Sequence, residues 1–86
     1  MDIIKISSTS LPSKVAGALT IMLKEKKKIT IQVIGAAALN QAIKSIAITR
    51  GYLIPSGEDL IVIPTFYDLL LNDEIVTSIR LNVELR

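Results

Sequence analysis

The chain contains no cysteine and no histidine among its 86 residues. Without cysteine there is no disulfide and no thiolate nucleophile. Without histidine there is no imidazole acid–base relay, and the usual zinc ligand sets are gone. A cysteine-free chain fits a reducing, intracellular setting. Aromatic side chains are nearly missing too: Tyr52, Phe66 and Tyr67 are the whole set, while half of the residues are hydrophobic, so the core must be aliphatic. No apolar run reaches the roughly 18 residues that a membrane span needs. The opening MDIIKISS has neither a basic leader region nor a small-residue cleavage site. The expectation is a cytoplasmic protein without membrane contact. Charge of one sign is also scarce. A net charge of +2 and a pI near 9.1 make a thinner field than non-specific nucleic-acid binders usually carry. The length suits one domain over residues 1–86, near the small end of what folds without staples.

No catalytic constellation is present. Ser13 with Lys14, and Lys44 with Ser45, are chain neighbours, and adjacent positions on a helix do not face each other. Asp59, Asp68, Asp73 and Glu74 fall in or beside turns, where a solvated carboxylate is the default. The chain reads as a non-enzyme with no metal, no cofactor and no small-molecule substrate.

What is present is a regular alternation of patterns. Residues 2–7 alternate, with Ile4 and Ile6 on one side, and read as a strand. A hydroxyl-rich loop follows, in which Ser10 or Ser13 can cap a helix and Pro12 can sit near its start. From residue 14 to about 27, Val15, Ala18, Leu19 and Met22 fall at helical spacing and define a buried face. Lys24, Lys26, Lys27 and Lys28 crowd the end of that helix. They fit a solvated cluster complementing the helix dipole, or a nucleic-acid patch. Residues 29–34 form a second strand and Gly35 ends it, so strand, helix and strand make a parallel crossover unit. Residues 60–65 form a third strand whose Pro64 cannot donate to a ladder and so belongs at a sheet edge. Residues 75–85 alternate throughout and form a fourth strand, with Asn72 and Asp73 as turn residues before it. The order β-α-β-α-β-β predicts an α/β (α+β) two-layer sandwich. Both helices cover one sheet face, and Lys5, Ser7, Thr30, Gln32, Arg80 and Asn82 face water on the other.

The second helix carries the candidate site. At about 100° per residue, Leu39, Ala42, Ile43, Ile46 and Ala47 gather as the core face. Asn40, Gln41, Lys44 and Ser45 lie opposite, with Ile48 among them as a possible subunit contact. Leu69, Leu70 and Leu71 cannot all point inward from a strand, which adds a second apolar surface for self-association. Gly35 permits a tight strand-to-helix turn. The free N–H groups behind it can also hold an anion, although a lone glycine is neither G-x-G-x-x-G nor G-K-[ST].

The segments KVAGAL, IQVIGAAALNQAIKSIAITRGY and IPSGEDLIVIP resemble the stage V sporulation protein S family over essentially the whole chain. That family in turn is similar to the Alba-like group of small nucleic-acid-binding proteins. The resemblance implies a mixed four-stranded sheet in the order 1-2-4-3 with strand 4 antiparallel. It also implies a developmental regulator that binds DNA or RNA as a homodimer or higher homo-oligomer. Alba-like proteins use the loop after strand 1, the start of helix 2 and the hairpin between strands 3 and 4. Carried onto this chain, the contacts are Lys14, Gly35, Ala36, Asn40, Gln41 and Lys44. The chain differs where Ala36, Ala37 and Ala38 replace an arginine-rich helix start and where Asp68, Asp73 and Glu74 make the hairpin acidic. Phosphate neutralisation drives sequence-independent affinity, so these losses weaken it. The competing expectation is therefore an oligomeric protein-interaction module that has kept the fold without the affinity.

Overall fold

The computed structural model describes residues 3–86. Strand β1 (Ile3–Lys5) leads into α1 (Pro12–Lys26), β2 (Lys28–Val33), α2 (Ala36–Leu53), a 3₁₀ turn at Ile54–Ser56, and the long strands β3 (Leu60–Leu71) and β4 (Glu74–Leu85). The sheet order is β1-β2-β4-β3. β1 pairs parallel with β2, while β2 and β3 both pair antiparallel with β4. This is the expected mixed sheet, with the proline-bearing strand at its edge. Asp2, expected at the start of β1, lies outside the described residues.

One aliphatic core joins the layers. Leu19 and Leu23 of α1 and Ala38, Ala42, Ile46 and Leu53 of α2 cover Ile29, Ile31, Val33, Leu81 and Val83 of the sheet. The predicted faces hold in the main, with Leu19, Ala42 and Ile46 in the core and Val15, Met22 and Leu39 packed against it. The helices meet through small residues, and this shifts the edge of each face: in α1 Ala16 is buried beside Leu19 and Leu23, and Ala18 is exposed. In α2, Ser45 and Thr49 are fully buried while Ile43 and Ala47 face out. Hydropathy alone misplaces these hydroxyls because it ignores local hydrogen bonding. Ser45 Oγ donates to the Gln41 carbonyl at 2.7 Å, and Thr49 Oγ1 donates to the Ala16 carbonyl at 3.2 Å. A satisfied hydroxyl is cheap to bury, and a small one lets two helices approach closely.

The start of α1 also differs from expectation. Leu11 is the N-cap without a side-chain bond, and Pro12 occupies the first turn, where its missing N–H costs nothing. Ser10 turns back instead, its Oγ accepting the Ser7 N–H at 3.0 Å.

The polar sheet face is drier than predicted. Thr30 and Gln32 are 5 % and 7 % exposed. Thr30 Oγ1 bonds to Asn82 Oδ1 at 3.2 Å, and Arg80 Nε donates to Gln32 Oε1 at 3.2 Å. The Arg80 guanidinium also lies over the Tyr67 ring, 3.3 Å from its centre. Two sets of polar contacts thus cover Thr30 and Gln32, while Lys5 and Ser7 stay exposed as expected.

β3 runs to Leu71, six residues beyond the predicted strand end at Thr65. Asn72 and Asp73 turn the chain with φ of 50° and 62°, a left-handed pair that suits a two-residue hairpin and these two residue types. β2 stops at Val33, paired with Ile79, so the pairs from Tyr67↔Ser78 to Leu71↔Glu74 have no third strand beside them. They form a two-stranded arm.

Asp59 is not the solvated turn carboxylate predicted for it. Its Oδ1 receives Arg50 Nε at 2.7 Å and the Leu60 N–H at 2.8 Å, and Arg86 lies 3.5 Å from Oδ2. It ties the end of α2 to both long strands. The Arg50 hydrogen bond, then the Leu60 N–H, hold its pKa down to about 2 from an ordinary 3.8. A carboxyl depressed in the folded state contributes stability that is present above its unfolded pKa and lost as pH falls through the folded one. Urea denaturation between pH 7 and 2 is therefore expected to show an acid-limb loss between about pH 4 and 2. In Asp59→Asn that part of the loss disappears and stability at pH 7 is lower.

Candidate nucleic-acid interface

Parallel β1 and β2 are each followed by a helix that returns across the sheet, so both helices start at the same end of the molecule. Gln41 Nε2 joins the two starts by donating to the Ser10 carbonyl at 2.9 Å. Neither helix has an acidic residue in its first turn or a side-chain cap. Each N-terminus carries roughly half a positive charge from aligned peptide dipoles, and here nothing on the helix offsets it.

Lys14 sits in the first turn of α1 and is exposed. A cation there opposes the helix dipole, an arrangement that an incoming anion would relieve. Gly35 adopts φ 87° as the N-cap of α2, and the first intrahelical bond runs from Leu39 N to its carbonyl. The N–H groups of Ala36, Ala37 and Ala38 are thereby left open, as expected from a strand–glycine–helix junction. Asn40 and Lys44 are exposed on the outer surface of α2. Gln41 also braces the loop: one N–H of its carboxamide is committed to the Ser10 carbonyl, while its second N–H and its oxygen remain for a partner. Ser45, expected beside these contacts, is buried between the helices.

Two grooves flank the sheet. One, of about 500 Å³, opens between the end of β1 and the start of α2. The other, of about 550 Å³, lies at the opposite end under the lysine-rich end of α1, where Lys26 already has an interaction of its own.

The expected self-association residues separate. Ile48 and Leu69 are half-buried, whereas Leu70 and Leu71 are exposed. Two stronger members were missed: Phe66 is 80 % and Ile75 74 % exposed, alongside Leu70 at 71 %. The register places Phe66, Leu70 and Ile75 on the helix-side face of the arm, in line with buried Leu81 and Val83. A length comparison would have found them. Twelve strand residues span about 40 Å and 18 helical ones about 27 Å, so the apolar stripe must outrun its cover. The arm's charges are Asp68, Asp73 and Glu74, and Asp68 accepts Thr77 Oγ1 at 3.1 Å.

These features define a small α+β sandwich with an open helix-start end and a projecting arm. Alba from Thermoplasma volcanium has the same fold: it aligns over 96 % of this chain and 99 % of its own length, with a TM-score of 0.64 and 20 % identity. Residues 2–86 match the family model of Stage V sporulation protein S (SpoVS), and the chain belongs to that family.

Proposed function

We propose that this chain is a cytoplasmic regulator of the sporulation type that acts by binding nucleic acid, as a homodimer or higher homo-oligomer, and not by catalysis. The observation that carries the reading is the pair of uncapped helix starts at one end, with Lys14 among them. Family membership and the Alba-like fold support it. Lys14 and Lys44 hold phosphates, the backbone N–H groups at Gly35 and Ala36 hold phosphate oxygens or base edges, and Asn40 and the free oxygen of Gln41 add neutral contacts. With only two side-chain cations at the surface, affinity is modest and depends gently on salt. Fluorescence anisotropy against duplex DNA, single-stranded DNA and RNA is expected to give a log–log salt slope near −2 for the best substrate, since each neutralised phosphate contributes about −0.9 on duplex DNA. The double variant Lys14→Ala/Lys44→Ala flattens it. Absent or salt-insensitive binding to all three substrates would refute the proposal.

The second reading, a protein-interaction module, is favoured by the bare apolar face of the arm. A two-stranded ribbon is marginal alone and gains from a partner. Phe66, Leu70 and Ile75 supply that surface, Leu69 and Leu71 stand on the opposite face of the same arm, and half-buried Ile48 adds a smaller contact. Phe66→Asp is expected to dissociate the oligomer in sedimentation velocity while circular dichroism stays native. An unchanged sedimentation profile would remove the arm from the interface.

A further inference from the structure

Besides the hydroxyls of Ser7 and Ser8, the groove at the start of α2 is lined by hydrogen-bond donors of three kinds. The first is the set of open N–H groups of Ala36, Ala37 and Ala38 behind Gly35, where added atoms would meet open space. The second is Gln32. It is 7 % exposed, and its Oε1 accepts Arg80 Nε. Arginine only donates, so this bond fixes which end of the carboxamide is oxygen and leaves Nε2 on the other side. Nε2 has no acceptor among the described residues, whereas every fully enclosed side-chain polar atom there is satisfied. Gln32, almost wholly buried as a residue, thus lines the groove with the donor end of its carboxamide not taken up by Arg80. The third is Lys5, which pairs with Gln32 in the parallel register, so the two side chains stand side by side on one sheet face. Among the described residues no carboxylate lines the groove, and Ile6 and Ile34 give it apolar walls.

We infer that this groove is a seat for a phosphomonoester. The lining offers backbone N–H groups, one carboxamide N–H₂ and one ammonium. A phosphomonoester presents three terminal oxygens and a charge of about −1.5 to −2 near pH 7. An internal phosphodiester of a nucleic acid has two free oxygens and a single charge, and leaves part of this set unused. The apolar walls take the body to which the phosphate is attached. The ligand is either a free phosphorylated small molecule or the phosphorylated 5′ end of a nucleic acid. The seat shares Gly35 and Ala36 with the surface proposed above, but it does not require that surface to bind an internal stretch of nucleic acid.

Isothermal titration calorimetry of the full chain tests this with adenosine 5′-monophosphate, adenosine, and one short oligonucleotide carrying either a 5′-phosphate or a 5′-hydroxyl. The monophosphate is expected to bind at least tenfold more tightly than adenosine. Gln32→Glu, which keeps an oxygen for Arg80 but replaces the donor with a carboxylate, weakens it at least tenfold, and Lys5→Ala weakens it several-fold. If Gln32→Glu fails to fold, Lys5→Glu carries the same test. A 5′-phosphate preference that vanishes in Gln32→Glu identifies a chain end as the ligand, while binding of the monophosphate alone identifies a small molecule. Equal binding of monophosphate and adenosine, or binding indifferent to both variants, overturns the seat. Oligonucleotide binding unaffected by the 5′ group, with no monophosphate binding, overturns the seat and leaves the broader nucleic-acid reading standing. Monophosphate binding without binding of the 5′-hydroxyl oligonucleotide supports the seat and counts against that reading.

Discussion

The parallel pairing of β1 with β2 is the constraint on which the rest of the molecule depends. It forces each following helix to cross back over the sheet, so Pro12 and Ala36 begin at the same end. Two helix dipoles then add at one surface, and the short loop braced by Gln41 keeps them together. A positive end can thus arise in a chain whose net charge is only +2. The field comes from backbone groups fixed by the fold more than from arginine and lysine side chains. Such a field suits a few well-placed anionic groups better than a long polyanion.

The close helix contact makes this arrangement rigid. Ala16, Ala42, Ser45 and Thr49 are all buried, and two of them hydrogen-bond to helix carbonyls. Bulkier residues would hold the helices apart and widen the gap between their starts. At the far end, Asp59 performs a comparable task by joining α2 to β3 and β4 through Arg50, Leu60 and Arg86. The arm is the one part without such support. Its helix-side face, where Phe66, Leu70 and Ile75 flank the bonded pair Asp68 and Thr77, and its acidic tip set it apart chemically from the helix-start end, which is why the two regions take two kinds of contact.

Much of this was legible in the sequence. Period-two runs gave the strands, Gly35 marked the turn into α2, and Pro64 placed β3 at an edge, where it lies. The faces of the helices were legible at Val15, Leu19, Met22, Leu39, Ala42 and Ile46, but their edges were not. A hydropathy wheel ranks Ile43 above Ser45 for burial, yet the structure reverses them, because a serine that bonds to Gln41 fits a narrow helix contact and isoleucine does not. The second half of β3 was hidden for a related reason. Three leucines and an aspartate break the expected alternation because that part of the strand has no core to face. Asp59 looked like any turn carboxylate, since nothing local reveals that Arg50 and Arg86 converge on it. At the candidate site, Lys14, Gly35 and Asn40 lie exposed at or near the helix starts, and Lys44 lies exposed midway along α2. Gln41 needed the structure to show that one of its two N–H donors is already used.

The central claim is that contact with nucleic acid is made by the helix starts and not by the arm or the lysine-rich far end. Amide chemical-shift mapping on isotope-labelled protein, titrated with a short oligonucleotide, tests it most directly. The largest shifts are expected at Lys14, Gly35, Ala36, Ala37, Ala38, Asn40 and Lys44, with Asn72, Asp73 and Glu74 quiet. Largest shifts on the arm, or a response confined to Lys24, Lys26, Lys27 and Lys28, would contradict the account.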